Sequence, residues 1–340
     1  MDGVVDGVAP TGNLIGRLWA RRPEESGVLA ALIVLVAIVS VVRPTFLIPV
    51  ILFQQVANAA IIGMLALGMV FVVVVRDIDL SVGWNFNFSA VIAATAMTMG
   101  LNPWLGLLIG VAFGALLGLV NGLLAVRLRL PVIVITLGTM SMFQGLSLVT
   151  NGSKAIVPPD TTGSFFTLVQ ARLFGVVPSI AIVFLVVAVV LHIVMHHTRF
   201  GYQVQALGSN PVAARLGGIP VARTRVLTLV VIGTLAGLTG SLFLGLRGAI
   251  DPVTGGEFML PVVAAVIIGG TPLSGGKGTL IGAVIGALII QVITAGILFL
   301  GVPDTWSTFV TGAVIILAVS VDQIIKRRSG GRLRDSVDSE

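Results

Sequence analysis

The nine residues LIGVAFGAL at positions 108–116 return 172 positions later as LIGAVIGAL at positions 280–288. When 78–120 is aligned with 250–292 at this offset and without gaps, 15 of the 43 positions are identical. In a chain so rich in Gly, Ala, Val, Leu and Ile, about four positions would match by chance. The sequence therefore predicts an internal duplication, and the alternative is a compositional coincidence between glycine-rich helices.

The composition is typical of an integral membrane protein. The chain has 340 residues, of which 56% are hydrophobic and 10% charged, and its mean hydropathy is +1.10. A helix needs roughly 20 apolar residues to cross a hydrocarbon core about 30 Å thick. Ten segments meet or approach that length, and the first, third and eighth are short enough to be tilted, broken or re-entrant. The segments are 27–42, 50–75, 84–100, 104–126, 131–149, 176–195, 226–246, 257–270, 279–300 and 305–321.

The two copies of the duplicated motif begin on opposite sides of the membrane, because the fourth segment runs inward and the ninth runs outward. Two halves in inverted topology are a recurring transporter architecture. The predicted fold class is therefore an all-α integral membrane protein with about ten transmembrane helices. We place its two inverted five-span repeats near 50–149 and 226–321.

The distribution of basic residues predicts the orientation. Of the 20 Lys and Arg residues, sixteen fall on one side of the predicted spans and four on the other, and the basic side of a membrane protein is cytoplasmic. Both termini are thus expected in the cytoplasm, with an N-terminal segment at 1–26, a transmembrane domain at 27–322 and a tail at 323–340. The largest internal cytoplasmic loop is 196–225, whereas the 150–175 loop faces outward.

Several kinds of chemistry are excluded or disfavoured. The absence of cysteine excludes disulfides, thiolate catalysis and iron–sulfur clusters. The segment GGTPLSGGKGT at 269–279 does not have the phosphate-binding spacing, because Thr271 holds the first glycine position and Gly278 follows Lys277 where Ser or Thr is needed. We expect no ATP-binding motif, no catalytic residue, and no bound cofactor, metal or nucleic acid.

Neutral polar residues dominate the predicted spans. No Asp, Glu, Lys or Arg falls in the middle of a span, although ion-coupled carriers and membrane enzymes usually need ionisable groups there. Amide and hydroxyl groups suit the passage of an uncharged polar solute, and they also join helices to one another. The candidate pathway or gating residues are Asn58, Asn85, Asn87, Thr139 and Gln144 in the spans, with Asp79, Ser81 and Asp251 beside them.

The segment RDIDLSVG at 76–83 places two acids in a short loop between the second and third spans. Asp77 and Asp79 form a poor metal or acid–base pair, since no His or third carboxylate lies near them in the sequence. Asp79 and Ser81 can cap the following helix, and Gly83 gives backbone freedom. A structural or gating role is the better interpretation.

Two further patterns have structural interpretations. His192, His196 and His197 share a helical spacing, but with no other ligands nearby they are better placed in the lipid headgroup region than in a metal site. The GxxxG pairs 110/114 and 282/286 indicate close helix–helix packing.

The stretch LGSNPVAARLGGIP at 207–220 predicts a short helix with marked ends. Asn210 can cap its N-terminus, Pro211 suits the first helical position, and Gly217 and Gly218 allow the chain to turn away. A helix of about six residues is not stable alone in water, so it needs a surface to dock on. The alternative is a loop helix that lies on the membrane.

Four motifs, at 58–69, 78–83, 206–219 and 268–279, give the chain a family resemblance. They read NAAIIGMLALGM, IDLSVG, ALGSNPVAARLGGI and IGGTPLSGGKGT. The chain resembles the permease subunits of bacterial monosaccharide ABC importers of the ribose, xylose and arabinose type. These belong to a superfamily shared with branched-chain amino-acid permeases, and the similarity runs in family order from about 50 to 322.

The resemblance implies a function and a set of partners. The chain would import a neutral pentose-like sugar or related polyol across the bacterial inner membrane, surrounded by lipid. Its partners would be a second permease, either a homodimer mate or a paralogue, an extracytoplasmic sugar-binding protein, and an ATPase subunit that binds ATP and Mg. The 207–220 helix would be the coupling helix that fits the ATPase. Its coupling residues would be Gly208, Asn210, Ala213, Ala214, Arg215 and Gly218.

The sequence departs from the family pattern at two places. Arg76 and Asp77 stand where family members often have two glycines, and Pro261 stands where many have an acid. These departures bear on gating and on the choice of solute. Alternatives are a branched-chain amino-acid permease, which the lack of charge at the membrane centre disfavours, and an ion-coupled carrier, which would need ion ligands that the spans lack.

Overall fold

The computed structural model describes residues 23–150 and 152–303, with scattered helical positions between 306 and 320. Most of the predicted N-terminal segment 1–26, the whole tail 323–340 and much of the tenth predicted span lie outside the described residues.

Helices make up nearly all of the described part of the chain. They are α1 Pro23–Val42, α2 Pro49–Val74, α3 Val82–Thr98, α4 Pro103–Leu128, α5 Val132–Thr150, α6 Ser164–Gln170, α7 Ser179–His197, α8 Arg199–Ser209, α9 Pro211–Leu216, α10 Val221–Arg247, α11 Met259–Ile268 and α12 Leu280–Phe299. Short 3₁₀ turns at Pro44–Leu47 and Thr254–Glu257 precede α2 and α11.

Seven of the described helices are long and apolar enough to span a membrane, namely α1, α2, α4, α5, α7, α10 and α12. The third and eighth predicted spans are shorter: α3 has 17 residues, and the 3₁₀ turn with α11 covers Thr254–Ile268. Pro261 lies in the first turn of α11, where a missing N–H costs no helical hydrogen bond. A multi-span helical membrane protein is confirmed, while the count of ten exceeds what the described residues establish.

The segment 152–178, most of which is the loop predicted to face outward, corrects the all-α prediction in a small way. It contains α6 and then two strands, Arg172–Leu173 and Val177–Pro178, which pair as an antiparallel hairpin. Within the same region Ile156 forms an isolated antiparallel bridge with Ile250. Sequence periodicity could not show these strands, because two residues are too few to display an alternation.

Helix α2 lies at the centre of the bundle. It is apolar all round, and its residues from Ala59 to Val74 are all buried, as expected for a helix with protein on every side. It packs against α7, α10, α11 and α12. Helix α1, by contrast, has no fully buried residue in its described hydrophobic window and lies at the edge of the bundle against α12.

Glycines set the closest helix–helix contacts. Gly110, Gly114 and Gly118 of α4 face α10, where Gly233 and Gly237 meet them backbone to backbone. In α12, Gly282 lies against the Gly269 carbonyl and Gly286 against the Ala265 carbonyl of α11. Small residues let helices approach closely enough for extensive van der Waals contact. The packing role predicted for the GxxxG pairs is confirmed.

The contacts across the duplicated segments are reciprocal. At the offset of 172 residues, α2 corresponds to α10, α3 to the 254–268 segment, and α4 to α12. Helix α2 packs on α11 and α12, whereas α10 packs on α3 and α4. Gly83 and Gly255, which are equivalent under the same offset, lie in direct contact with each other. Each half of the duplication therefore packs against the first helix of the other half.

Candidate functional site

Helix α9 stands at one end of the bundle, which we call the α9 end, between α8 and α10. The Asn210 side chain accepts hydrogen bonds from the backbone N–H groups of Val212 and Ala213, both at 3.0 Å. Pro211 occupies the first helical position, and Gly218 follows the helix with a φ of 80°. The predicted capped helix is confirmed, with the cap residue as expected.

The exposed face of α9 is apolar. Val212 is 70% exposed and Leu216 is 85% exposed, and Ala213 and Arg215 are also exposed. Ala214 is only 6% exposed and packs into its own chain. Sequence reasoning grouped Ala213 with Ala214 as docking residues, but on a helix neighbouring residues point in different directions. Ala213, Val212 and Leu216 present the surface that a partner can contact.

Gly208 is buried at the junction of three chain segments. A Cβ at this position would overlap the carbonyl oxygen of Val74 at the end of α2 and crowd the backbone nitrogen of Gly276. The Gly276 N–H in turn donates a hydrogen bond of 2.9 Å to the same Val74 carbonyl. Gly208 therefore sets the close approach of α8, α2 and the 269–279 loop, and it is not itself a surface for a partner.

Arg76 and Asp77, at the end of α2, contact both flanks of α9. The Arg76 guanidinium donates to the carbonyls of Gly208 at 2.7 Å and Ser209 at 2.8 Å. The Asp77 carboxylate accepts two hydrogen bonds from Arg225, each at 2.6 Å. Burial raises the pKa of the Asp77 carboxyl above its ordinary value, although the hydrogen bonds and the charge of Arg225 oppose that shift. The sequence pattern marked these two positions as departures but gave no sign of their partners.

A cavity of about 780 Å³ lies beside α9. Its lining includes the guanidinium-bearing residues Arg129, Arg215 and Arg225, together with apolar residues of α4 and α10. Arg129 adopts a left-handed conformation, with a φ of 56°, at the end of α4. Arg129 and Arg215 therefore add positive charge to the cavity, while the charge of Arg225 is paired with Asp77. The cavity lies at the same end of the molecule as the apolar face of α9.

The loop that carries Asp79 is buried inside the bundle. Asp79 and Ser81 are 0% exposed, and the Ser81 backbone N–H and hydroxyl both donate to Asp79 Oδ1, at 2.8 and 2.6 Å. Asn121 of α4 donates to the Ser81 hydroxyl at 2.8 Å, and the Leu80 N–H donates to Thr136 of α5 at 3.1 Å. Asp79 lies in the loop between two spans, as the sequence predicts, but no pattern in the sequence indicates that neighbouring helices bury Asp79 completely.

Asn85 and Asn87 join α3 to its neighbours. Asn85 donates to the Gly114 carbonyl at 3.2 Å. Asn87 donates to the Asp251 carbonyl at 2.9 Å and accepts from Ser147 at 2.8 Å. The Asp251 residue is itself exposed, so its backbone rather than its carboxylate makes this contact. These groups hold helices together in the present conformation.

The remaining pathway candidates are less firmly bonded. Asn58 is half-buried in α2 and accepts a long hydrogen bond of 3.4 Å from Gln54, which also accepts from Arg172 at 2.8 Å. Thr139 is buried in α5 with a weak contact to the Thr136 carbonyl at 3.5 Å, and Gln144 of α5 is half-buried.

The histidines lie outside any metal-ligand cluster in the described part of the chain. No group of three or more His, Cys, Asp or Glu side chains is arranged to hold a metal ion among these residues. The rings of His192 and His196 stack at 4.3 Å on one face of α7. Lys277 is exposed in the 269–279 loop, whose glycines pack on the end of α2.

A bundle of helices long enough to span a membrane, with a capped and exposed helix at one end, is the architecture of a multi-span membrane protein. The chain belongs to the family described as the permease component of branched-chain amino acid transport systems, whose model matches residues 51–319. The family resemblance read from the four motifs is confirmed.

Individual relatives cover most of the chain. The ribose import permease protein of Bacillus subtilis strain 168 is 35% identical over 300 residues, which are 88% of this chain and 93% of the relative. The ribose import permease protein of Escherichia coli K12 is 34% identical, covering 90% and 95%. The L-arabinose ABC transporter permease protein of Azospirillum brasilense is 33% identical, covering 91% and 90%. These relatives are permease subunits.

The fold also matches a solved structure. A chain described as an inward-facing conformation of a metal-chelate type ABC transporter superposes with a TM-score of 0.50 at 15% sequence identity. The match covers 87% of this chain and 99% of that chain. At this identity the likeness shows the fold alone, which is that of an ABC transporter permease.

Proposed function

We propose that the chain is the membrane-spanning permease subunit of an ATP-binding cassette importer and that it translocates a neutral monosaccharide, a pentose-like sugar or a related polyol. The observation that carries this proposal is the similarity, over about nine-tenths of the chain, to permeases named for ribose and arabinose. The neutral amide and hydroxyl groups at Asn58, Thr139 and Gln144 agree with it, since they offer hydrogen bonds to an uncharged solute.

The architecture supports an inverted-repeat mechanism. Reciprocal packing of the two halves and the contact of Gly83 with Gly255 are expected when a pseudo-two-fold axis passes between equivalent segments. Rocking of one half against the other around such an axis would alternate access between the two sides. Substrate delivery and ATP hydrolysis would bias that equilibrium by favouring different states.

The α9 end would be cytoplasmic, with both termini, and would bind the ATPase subunit. Val212, Ala213 and Leu216 supply an apolar contact surface, and the arginine-lined cavity beside them suits acidic side chains of that partner. ATP and Mg would be bound by the ATPase, and no cofactor by this chain. An extracytoplasmic binding protein would deliver the sugar at the opposite end, and a second permease in the lipid bilayer would complete the assembly.

Branched-chain amino acids are the second candidate solute, because the family description names them. A zwitterion needs two charged or dipolar partners, whereas the described spans present mainly neutral groups to one another. The transport assay below includes leucine for this reason.

The test is ATP-dependent uptake in proteoliposomes that contain the permease with its ATPase and binding protein. Labelled ribose, arabinose and leucine are compared in wild type, Leu216→Glu and the matched control Leu216→Met. We expect sugar uptake in wild type and in Leu216→Met, and loss of both uptake and stimulated ATP hydrolysis in Leu216→Glu, because a charge replaces an apolar docking side chain. Uptake of leucine but not sugar would refute the proposed solute, and uptake without an ATPase would refute the importer.

A further inference from the structure

Arg76 and Asp77, which follow α2, bond to the chain on both sides of α9: Arg76 to the end of α8 and Asp77 to the start of α10. We call these two sets of contacts the grip, and the two bonded segments the flanks of α9. Arg76 Nε and Nη2 donate to the carbonyls of Gly208 and Ser209, at 2.7 and 2.8 Å. These are the last two residues of α8, and the carbonyls at a helix C-terminus have no partner within the helix. A guanidinium there both satisfies the acceptors and complements the negative end of the helix dipole.

The other flank is held by an ion pair. The Asp77 carboxylate, which is buried, accepts two parallel hydrogen bonds of 2.6 Å from Nε and Nη2 of Arg225. Arg225 lies in the first turn and a half of α10, just after the turn that follows α9. A bidentate arginine–carboxylate pair fixes orientation as well as distance. Removal of the partly exposed Arg225 would leave the charge of the buried Asp77 carboxylate uncompensated.

The backbone conformation of Arg76 allows the two neighbouring side chains to reach different helices. Arg76 has a φ of 68°, in the left-handed region that glycine adopts more easily than arginine. This conformation ends α2 and turns the chain so that Arg76 faces α8 while Asp77 faces α10. Gly275, with a φ of 73°, lies so close that a Cβ would overlap Arg76 Cγ, so the 269–279 loop closes over the arginine stem.

The chain that follows Asp77 enters the buried core directly. Asp79 and Ser81 follow within four positions and are bonded to each other, and Asn121 of α4 donates to Ser81. Helix α3 starts at Val82, and its second residue, Gly83, touches Gly255 of the other half. The connector 75–81 thus joins the flanks of α9 to the place where the two halves meet.

We propose that Arg76 and Asp77 are positioning residues that fasten both flanks of α9 to the connector 75–81, so that a displacement of α9 reaches α3 and the contact between the halves. This inference rests on the proposed function, in which an ATPase moves α9. Without the two side chains, α8 would still pack on the end of α2 through Gly208 and Val74. The connector would, however, lose its directional bonds to Gly208, Ser209 and Arg225. A displacement of α9 by the ATPase would then deform the segments beside α9 and would not move the connector 75–81.

The experiment compares wild type with the double variant Arg76→Gly, Asp77→Gly in the assembled complex with its ATPase and binding protein. We expect the variant to assemble and to hydrolyse ATP, while sugar uptake per ATP hydrolysed falls by about tenfold, within the usual range of coupling energies. Arg223→Ala is the matched control, because Arg223 is an exposed arginine in the first turn of α10, two positions before Arg225. An unchanged ratio of uptake to hydrolysis in the double variant would overturn the proposal.

A charge exchange covers the case in which the double variant does not fold. Asp77→Arg and Arg225→Asp singly place like charges together, and combined they restore an opposite pair. We expect both single variants to lose coupling and the combined variant to recover it, measured as uptake per ATP at equal amounts of assembled complex. Wild-type coupling in either single variant, or no recovery in the combined one, would count against the ion pair.

A solute-independent measurement separates this proposal from the proposed function. The chain has no native cysteine, so spin labels at the exposed Met99, beyond the far end of α3, and at the exposed Phe174 of the β-hairpin report whether α3 is displaced when nucleotide binds. We expect a nucleotide-dependent distance change at Met99 in wild type and its loss in Arg76→Gly, Asp77→Gly. A wild-type change without any sugar uptake would refute the proposed solute alone, and an identical change in the variant would refute the grip.

Discussion

Gly208 shows how one residue can lie in a functional motif for a packing reason. Sequence reasoning placed it among the residues that meet a partner, but the structure buries it against the end of α2 and the 269–279 loop. The absence of a side chain lets the Val74 carbonyl approach the α8 backbone, which in turn positions α9. The 207–220 motif therefore contains exposed residues, such as Val212 and Leu216, and a buried packing residue, Gly208.

We expect Gly208→Ala to destabilise the protein, because the new Cβ would overlap the Val74 carbonyl oxygen, and backbone atoms cannot move aside cheaply. The cost should be roughly 1–3 kcal/mol, as for other overpacked sites. Thermal unfolding in detergent measures it. Gly217→Ala is the control, since its nearest neighbour would be the Ala213 carbonyl at 3.4 Å. Equal melting temperatures for the two variants would contradict the packing role.

At the scale of elements, α9 is stable only because its context makes it so. Six residues cannot pay the cost of helix nucleation alone. The Asn210 cap, the burial of Ala214 and the anchoring of both flanks supply what the short helix lacks. The same features keep its apolar face rigid and exposed.

Asn210→Ala should weaken binding of the ATPase by about fivefold, because loss of an N-cap costs roughly 1 kcal/mol and the helix would have to re-form on binding. The dissociation constant of the detergent-solubilised permease for its ATPase is the quantity to measure. Asn210→Ser keeps a capping oxygen and should bind nearly as wild type does. If Asn210→Ala binds with unchanged affinity, the cap does not matter for docking.

The contact of α4 with α10 yields a second prediction at this scale. A Cβ on Gly118 would overlap the Leu229 carbonyl, so Gly118→Ala should lower the free energy of unfolding by roughly 1–3 kcal/mol. Gly138→Ala in α5 has open space around it and should be neutral or stabilising by up to about 1 kcal/mol. The two melting temperatures, measured under one condition, decide the matter, and a shift of the same sign and size in both would contradict the close packing.

At the scale of the whole molecule, the reciprocal packing of the two halves makes the bundle a single unit. The central helix α2 is surrounded by helices that follow it by more than a hundred residues, and α10 is paired with helices that precede it by similar distances. Neither half has a complete core without the other. A change at the α9 end can therefore alter contacts deep in both halves.

The predicted orientation can be tested in the cysteine-free chain. Phe174, exposed in the β-hairpin, and Leu216, exposed in α9, lie in loops that the distribution of basic residues assigns to opposite sides. A membrane-impermeant maleimide should label Phe174→Cys in intact spheroplasts and Leu216→Cys only after permeabilisation. Labelling of Leu216→Cys in intact spheroplasts would reverse the topology.

Local features were predictable because their causes are local. Apolar runs predict spans, Asn-Pro followed by Gly-Gly predicts the bounds of α9, and the GxxxG pairs predict close packing. The strands at 172–178 and the burial of Asp79 were missed, because two-residue strands have no period and a loop sequence does not reveal which helices close over it.

By itself the sequence determined the class of fold, the capped helix and the family, and it predicted the duplication, since each depends on the order of residue types along the chain. Only the tertiary structure decided that Ala214 faces inward, that Gly208 is a packing residue and that Asp251 contributes its carbonyl. It alone joined Arg76 to α8 and Asp77 to Arg225, partners 132 and 148 positions away. Hydrogen bonds and ion pairs act over a few ångströms of space, and no local pattern states which distant residues will share that space.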